Sequence, residues 1–271
     1  MNASPMSEMT RDAAEPSVGP IPLQRIMVVV DPASVAQPAL DKAVQIAMRF
    51  NSSLELYVGD VQQDIPESWV GDARSREYKD LMRKRAQDEL RRLAAPVASL
   101  GLKVSAAFEW DAPLQQGIEH HVFRTRPDLV VKERHRHALV GTSVSRTDWI
   151  LIQQVAAALL LVHARPWSSP PRIAAAMDPA NPSGPSPALG ERILTTGQGL
   201  ADKLGGNLEI FHVAEGAVTD GLVGLVAEHS PDVLMMGASG PRSRHAPLGG
   251  TAGCVLTQVD CDVLVIKQES R

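Results

Sequence analysis

The chain is poor in aromatic residues and in cysteine, and both shortages restrict the folds open to it. Phe, Tyr and Trp make up only 4% of its 271 residues, so its core has to be built from aliphatic side chains. Such a core suits a buried parallel sheet better than an aromatic-rich sandwich. The two cysteines, Cys254 and Cys261, cannot supply a disulfide framework, which favours a reducing cytoplasm. We expect both to be buried as small hydrophobic residues.

Long hydrophobic runs and a basic surplus are also missing. The longest apolar run, residues 155–162, has the length of one strand, whereas crossing a bilayer takes about 20 apolar residues. The first twenty residues contain three acidic residues and no apolar segment, which argues against a secretory signal. The net charge of −4 argues against nucleic acid as the main partner, because nucleic-acid binding needs a basic face.

What the chain does contain is two copies of one unit. At a shift of 104 residues, 140–163 aligns without a gap with 244–267, and PDLVV (127–131) aligns with PDVLM (231–235). At shifts of 147 and 154 residues, IMVVVDP (26–32) aligns with IAAAMDP (173–179) and SLELYV (53–58) with NLEIFH (207–212). The changing shift means that the second copy lacks about 50 residues, which the first copy has between 59 and 107.

Each copy alternates β-branched runs with amphipathic helical segments, a pattern that predicts a parallel α/β sheet with right-handed crossovers. We predict two tandem, open, twisted Rossmann-like sheets of strand order 3-2-1-4-5, the second without a long helix and an edge strand. The predicted division is a disordered tail over 1–22, a first domain over 23–165 and a second over 170–268. A long helix is predicted over 73–100, and Pro96 is expected to kink it or end it early.

The sharpest motif runs from Gly237 to Thr251 with the spacing Gly-x2-Gly-x9-Gly-Thr. It is predicted to follow the strand 233–236 and to end at a helix N-terminus. Glycines let backbone N–H groups approach an anion, and a helix N-terminus favours phosphate. On the motif alone the plainer interpretation stays open, in which Thr251 is an N-cap and the glycines are turn residues.

The predicted topology adds weight to the phosphate interpretation. Asp178 follows the first strand of the second copy, and Gly237 follows the fourth. In the order 2-1-4-5 these strands are neighbours, and the chain reverses its winding direction between them. Ligands of open α/β sheets bind at such a switch point. An acid for a nucleoside and a glycine loop for phosphates would therefore face one crevice.

These motifs resemble the universal stress protein family, whose ATP-binding signature is the loop Gly-x2-Gly-x9-Gly-[Ser/Thr]. As in that family, a helix and a strand (CDVLVIK, 261–267) follow the loop. The resemblance covers about 25–164 and 172–267, and the segments DLVVKERHRH and RTDW of the first copy are similar to the tandem, E-type members. It implies Asp178 and Val213 on the nucleoside side, with Gly237, Gly240, Gly250 and Thr251 as phosphate-loop positions and Ser239, Arg242 and Gly249 elsewhere in the loop.

The first copy departs from the family pattern. Its residues at the loop positions are Glu133, Arg136, Arg146 and Thr147, and bulky charged side chains prevent a backbone from wrapping a triphosphate. We predict that this copy does not bind ATP in the family way.

Charged and histidine-rich segments of the first copy have plain interpretations. We predict that KERHRH (132–137) is a solvated charged loop, with an anion site or a metal site at His135 and His137 as the alternative. We predict that His120 and His121 lie on a helix surface rather than act as ligands.

The resemblance and the residues together predict a cytoplasmic stress-response protein whose second domain binds ATP or another adenine nucleotide, with Mg²⁺ as an optional companion. We expect regulation rather than turnover, because no Walker A lysine and no nucleophile elbow is present, and we assign no catalytic residue. Weak ATPase activity or self-phosphorylation stays open. The alternative is a non-nucleotide scaffold that binds a partner or a small apolar ligand.

Two further features bear on assembly and on the pocket. The last strands of the two copies, 159–162 and 263–266, are predicted to pair as an intramolecular pseudo-dimer, and a homo-oligomer of the chain stays open. Seven residues added after Asp178 fall in a proline-rich stretch, 179–187, which either lids or blocks the pocket.

Overall fold

A computed structural model describes residues 19–59, 73–109, 113–134, 145–177, 186–212, 218–238 and 251–267. The first half contains β1 (Arg25–Val29), α1 (Pro38–Phe50), β2 (Ser53–Gly59), α2 (Ala73–Ser99), β3 (Val104–Glu109), α3 (Leu114–Thr125), β4 (Leu129–Glu133), α4 (Arg146–Gln154) and β5 (Ala158–Val162). The second half contains β6 (Arg172–Met177), α5 (Pro187–Leu204), β7 (Asn207–His212), α6 (Val218–His229), β8 (Val233–Ala238), α7 (Thr251–Gln258) and β9 (Asp262–Lys267).

All nine strands form one sheet in the order β3-β2-β1-β4-β5-β9-β8-β6-β7. The first half has the predicted order 3-2-1-4-5. Within the described residues, the second half repeats it without the edge strand and without a counterpart of α2, as the sequence predicts. Pairing within each half is parallel throughout. The α/β fold prediction is therefore confirmed, including β6, whose alanines give it little strand propensity.

The halves meet where β5 and β9 pair antiparallel, with Leu159 opposite Val265 and Leu161 opposite Val263. All residues of both strands are buried. These are the two strands whose pairing the sequence predicts.

Helices cover both faces of the sheet. Helices α1, α2 and α5 pack on one face, through aliphatic residues such as Ile46, Leu90 and Ile193. Helices α3, α4, α6 and α7 pack on the other, through residues such as Ile118 and Leu256. Among the described helices none has the length and hydrophobicity that a membrane span requires.

An aspartate from the repeated Pro-Asp pair fixes the start of the first strand in each half. Asp128 accepts hydrogen bonds of 2.8 Å from the N–H groups of Gln24 and Arg25. Its counterpart Asp232 accepts a 2.8 Å bond from the N–H of Arg172. The repeat therefore preserves a structural contact that satisfies backbone groups at the amino end of the sheet.

The linker between the halves is tied to β9. The indole Nε1 of Trp167 donates to Oδ2 of Asp262 at 2.7 Å, and Nζ of Lys42 in α1 lies 2.5 Å from the same oxygen. Both Lys42 and Asp262 are buried. A cation from the first half thus neutralises an anion of the second half at their boundary.

Two segment ends are defined by the structure. Ile21 is only 7% exposed and its N–H donates to Oγ1 of Thr196, so the predicted tail of 1–22 cannot extend through this residue; residues 1–18 lie outside the described part. Helix α2 runs from Ala73 to Ser99 with Pro96 inside it, so the predicted helix over 73–100 is confirmed, Pro96 does not end it early, and a kink at Pro96 stays a prediction. Leu93 and Val97 are buried against the core, and this packing holds the last turn.

Candidate functional site

The carboxyl ends of β6 and β8 lie side by side at one edge of the sheet. The two strands are parallel neighbours, with Ala175 opposite Met235. The chain reverses its winding between them, because β7 lies beyond β6 while β9 lies beyond β8. The structure therefore contains the predicted switch point.

Helix α7 begins at Thr251, after the loop that follows β8. Val255 and Leu256 are fully buried in the core layer that also contains Leu234 and Met236 of β8. Because a helix that follows a parallel strand starts at the carboxyl edge of the sheet, the free N–H groups of α7 belong to the edge where β6 and β8 end.

The predicted site residues are only partly described. Thr251 is the first residue of α7. Gly237 lies inside β8, opposite Ile266, and the strand continues to Ala238; the prediction that the strand ends before Gly237 is wrong. The remaining predicted residues lie outside the described part of the chain: Asp178, Val213, Ser239, Gly240, Arg242, Gly249 and Gly250.

Lys267 is a residue at this edge that the sequence analysis missed. It is the last residue of β9, opposite Ala238, and is 8% exposed. Burial disfavours the charged form and lowers the pKa of Lys267 to about 8. A lysine at the end of a strand is normally solvated. In the sequence, only the alignment of Lys267 with His163 in the repeat indicates that this lysine is not an ordinary surface residue.

The first half has a buried ion pair at the N-terminus of α4, the helix that corresponds to α7. Nζ of Lys132, near the end of β4, lies 2.8 Å from Oδ1 of Asp148 in the first turn of α4, and both residues are buried. Neither oxygen of Asp148 has a hydrogen bond of regular geometry within the described residues, so the attraction to Lys132 is its main contact. The N–H of Asp148 donates to Oγ of Ser145, which caps the helix.

The segment KERHRH is therefore not a solvated loop at its beginning. Strand β4 continues to Glu133, and Lys132 and Arg134 are 5% and 4% exposed. Side chains two positions apart on a strand point to the same face of the sheet. Lys132 and Arg134 therefore face the same layer of helices, where Lys132 forms the ion pair and Arg134 contacts carbonyls at the end of α7. The prediction of a solvated loop is wrong for these two residues; His135, Arg136 and His137 lie outside the described residues.

His121 also departs from its prediction. It is 4% exposed and lies between two carboxylates, with Nε2 2.9 Å from Oε2 of Glu55 and Nδ1 3.1 Å from Oε1 of Glu109. The hydrogen bond to Glu55 raises the pKa of His121, Glu109 adds to the effect, and burial opposes it. The sequence could not reveal this cluster, because β2, β3 and α3 supply its members. His120 is exposed, as predicted.

Cys261 is buried, at 6% exposure, and burial raises the pKa of its thiol to about 12. The prediction that it acts as a small hydrophobic residue is confirmed. The side chain of Cys254 lies outside the described part.

Known proteins resemble this chain in sequence and in fold. The chain is 21% identical over 299 residues to universal stress protein E of Escherichia coli K12, covering 91% of this chain and 94% of the relative. A functionally unknown protein from Pseudomonas aeruginosa PAO1 superposes with a TM-score of 0.71 at 22% identity, covering 92% of this chain and 94% of that one. A universal stress protein from Archaeoglobus fulgidus DSM 4304 superposes with a TM-score of 0.68 at 14% identity, covering 90% and 98%.

These structural likenesses show that the chain shares its fold with those proteins. The sequence model of the universal stress protein family matches the chain twice, over residues 22–163 and 144–267. The two matches agree with the repeat in the sequence and with the two parallel halves of the sheet, which meet at β5 and β9. The chain belongs to the universal stress protein family.

Proposed function

We propose that the second half binds ATP or another adenine nucleotide at the edge where β6 and β8 end, and that the protein acts by binding rather than by turnover. The observation that carries the proposal is the difference between the two helix N-termini. The first turn of α4 has its own carboxylate, Asp148, held by Lys132. At the matching positions of the second half stand Ala252 and Met236, so neither of these two positions supplies an internal anion. A helix N-terminus without one suits a phosphate.

The place of this terminus supports the same proposal. Helix α7 starts at the switch point, where the loop 239–250 leaves β8 and where Asp178 directly follows β6. We propose that the glycine-rich loop and Thr251 hold the phosphates, and that Asp178 and the backbone at Val213 meet the nucleoside. Mg²⁺ is the expected companion of a bound triphosphate.

The negative charge of the second half limits which interactions can contribute to its affinity for a nucleotide. Residues 172–267 contain ten acidic and six basic residues, so this half has no long-range attraction for a polyanion. The binding energy has to come from local backbone N–H groups and the α7 terminus. Lys267 ends β9 opposite Ala238, the last residue of β8, and we propose that it contributes a cationic side chain at this edge.

We further infer that the β5–β9 contact makes the chain an intramolecular equivalent of a dimer. Each half contributes its last strand, and the antiparallel pairing is what a two-fold axis generates. The buried free cysteine and the balanced charge of the first half agree with a cytoplasmic location.

The alternative function, binding of a small apolar ligand, requires an apolar cavity of ligand size. An apolar cavity does lie under α1 and α5, lined by residues of both halves such as Leu23, Leu160, Trp167 and Leu264. Its accessible space is about 10 Å³, which is room for about one water molecule.

Calorimetry of the full chain with MgATP tests the proposal. We expect the purified protein to bind, and Gly250→Glu to abolish binding because its carboxylate takes the phosphate position. Arg146→Glu is the matched control, since it makes the corresponding change in the first half and should leave affinity within about twofold. Absence of binding by the unmodified protein overturns the proposal. Binding that survives Gly250→Glu means that the nucleotide lies elsewhere.

A further inference from the structure

Arg134 crosses from the first half to the helix that begins at the proposed nucleotide site. Its Nη1 donates to the carbonyl oxygen of Leu256 at 2.6 Å, and its Nη2 donates to that of Val259 at 2.7 Å. Its Nε donates to Nε2 of His163 at 2.9 Å, which fixes the guanidinium plane from the first half. The residue is 4% exposed, so these contacts are shielded from water.

Leu256 lies in the last turn of α7, and Val259 directly follows the last residue of the helix. The last carbonyls of a helix have no partner within the helix, and the helix dipole makes this end negative. A buried guanidinium that donates to two of them supplies both the missing hydrogen bonds and the matching charge. At the position of Arg134, the second half has Ala238, so no arginine there makes the reverse contact to α4.

Helix α7 is short enough for one end to control the other. It has eight residues and is about 12 Å long at 1.5 Å per residue. A helix of this length is marginal by itself and depends on packing and on its ends for stability. Loss of the contacts at Leu256 and Val259 therefore changes the order of the first turn at Thr251.

We infer that Arg134 is a positioning residue for the nucleotide site of the second half. The first half, which we predict not to bind nucleotide, thereby sets the affinity of the second half by holding the far end of α7. This inference rests on the proposed function of that site. It also gives the charged segment of the degenerate loop a role that the sequence alone did not suggest.

The test compares Arg134→Met with the unmodified protein by calorimetry with MgATP, well below the unfolding temperature. We expect about tenfold weaker binding, in the range typical of coupling between sites. Arg134→Lys keeps the charge but cannot donate to both carbonyls in the fork geometry of arginine, so it should recover only part of the affinity. Arg49→Met is the matched control, because Arg49 lies exposed in the last turn of α1 and should leave affinity unchanged.

Two further measurements separate positioning from a general loss of stability. Val122→Ala removes buried volume from α3 without touching α7 and should destabilise the chain while binding stays within about twofold. Hydrogen exchange without nucleotide should be faster at 255–259 in Arg134→Met than in Val122→Ala. This second readout and the lysine variant keep the test decisive if Arg134→Met folds poorly.

The outcomes are distinguishable. If the unmodified protein binds MgATP and Arg134→Met binds it within twofold, the positioning role is overturned and the proposed function stands. An equal loss of affinity in Val122→Ala also overturns the positioning role. If the unmodified protein does not bind, both the proposed function and this inference fail.

Discussion

The two halves share one strand order, yet they differ in what occupies the first turn of the helix before the last strand. In the first half, Asp148 and Lys132 form a buried ion pair there. In the second half, Ala252 and Met236 occupy the same positions. A helix N-terminus needs a favourable partner, and a carboxylate in the first turn meets that need. The glycine-rich loop is retained only in the half that lacks the internal carboxylate.

The halves also differ at their second strands. Leu56 in β2 is fully buried, whereas its counterpart Ile210 in β7 is 43% exposed. Strand β2 pairs with both β1 and β3, while β7 pairs with β6 alone in the described sheet. The same sequence pattern is therefore buried to different degrees in the two halves, because the described part of the second half has no counterpart of α2 and β3.

A contact between a glutamate and a histidine is present in both halves, although the histidines come from different helix positions. Glu55 contacts His121 next to Tyr57 in the first half, and Glu209 lies 2.8 Å from His229 next to Phe211 in the second. His229 matches Thr125 in the repeat, one helical turn beyond the position of His121. A carboxylate on the second strand thus finds a histidine in both halves, from different helix positions.

The largest expected effect comes from breaking the ion pair that distinguishes the halves. Lys132→Met should lower the free energy of unfolding by about 3–5 kcal/mol, because it leaves Asp148 buried without a cation. Lys132→Met with Asp148→Ala makes the first half match the second, and this double variant should recover most of the loss. Denaturant unfolding of the full chain measures both. A double variant as unstable as the single one would contradict the account.

A second prediction sharpens the comparison of β2 with β7. Leu56→Ala should cost about 2–5 kcal/mol, since it opens a cavity in the core. Ile210→Ala should cost less than about 1 kcal/mol, because that side chain is already partly in water. Parallel unfolding curves of the two variants check the difference. Equal losses would mean that the exposed face of β7 is covered in solution.

The smallest expected effect depends on pH. The pKa of His121 is raised above its ordinary value of 6.5 in the folded state, so its contribution to stability is present below that value and is lost as pH rises through the folded pKa. The groups that face it are Glu55, Glu109, Arg124 and the ring of Tyr57. The stability difference between the unmodified protein and His121→Gln should therefore shrink from acidic to alkaline pH. A stability difference that is constant across this pH range would show that the titration of His121 does not contribute to stability.

Much of the fold could be predicted from the sequence, because the repeat aligns the strands and helices of one half with those of the other. Strand β6 illustrates this, since its alanines alone would not predict a strand, and its alignment with β1 does. Gly237 and Thr251 were identified by spacing, which is a local property. Lys132 and Asp148 could not be paired in this way, because they are 16 positions apart and come together only when α4 packs on β4.

The chain itself determined the strand order, the repeat of one unit and the half that retains the Gly-x2-Gly-x9-Gly-Thr motif, since periodicity and repeats are written in local order. Only the tertiary structure decided the protonation tendency of His121, the burial of Lys132 and the reach of Arg134 to α7. These depend on side chains from distant segments, and their free energies depend on how much water the packed layers exclude.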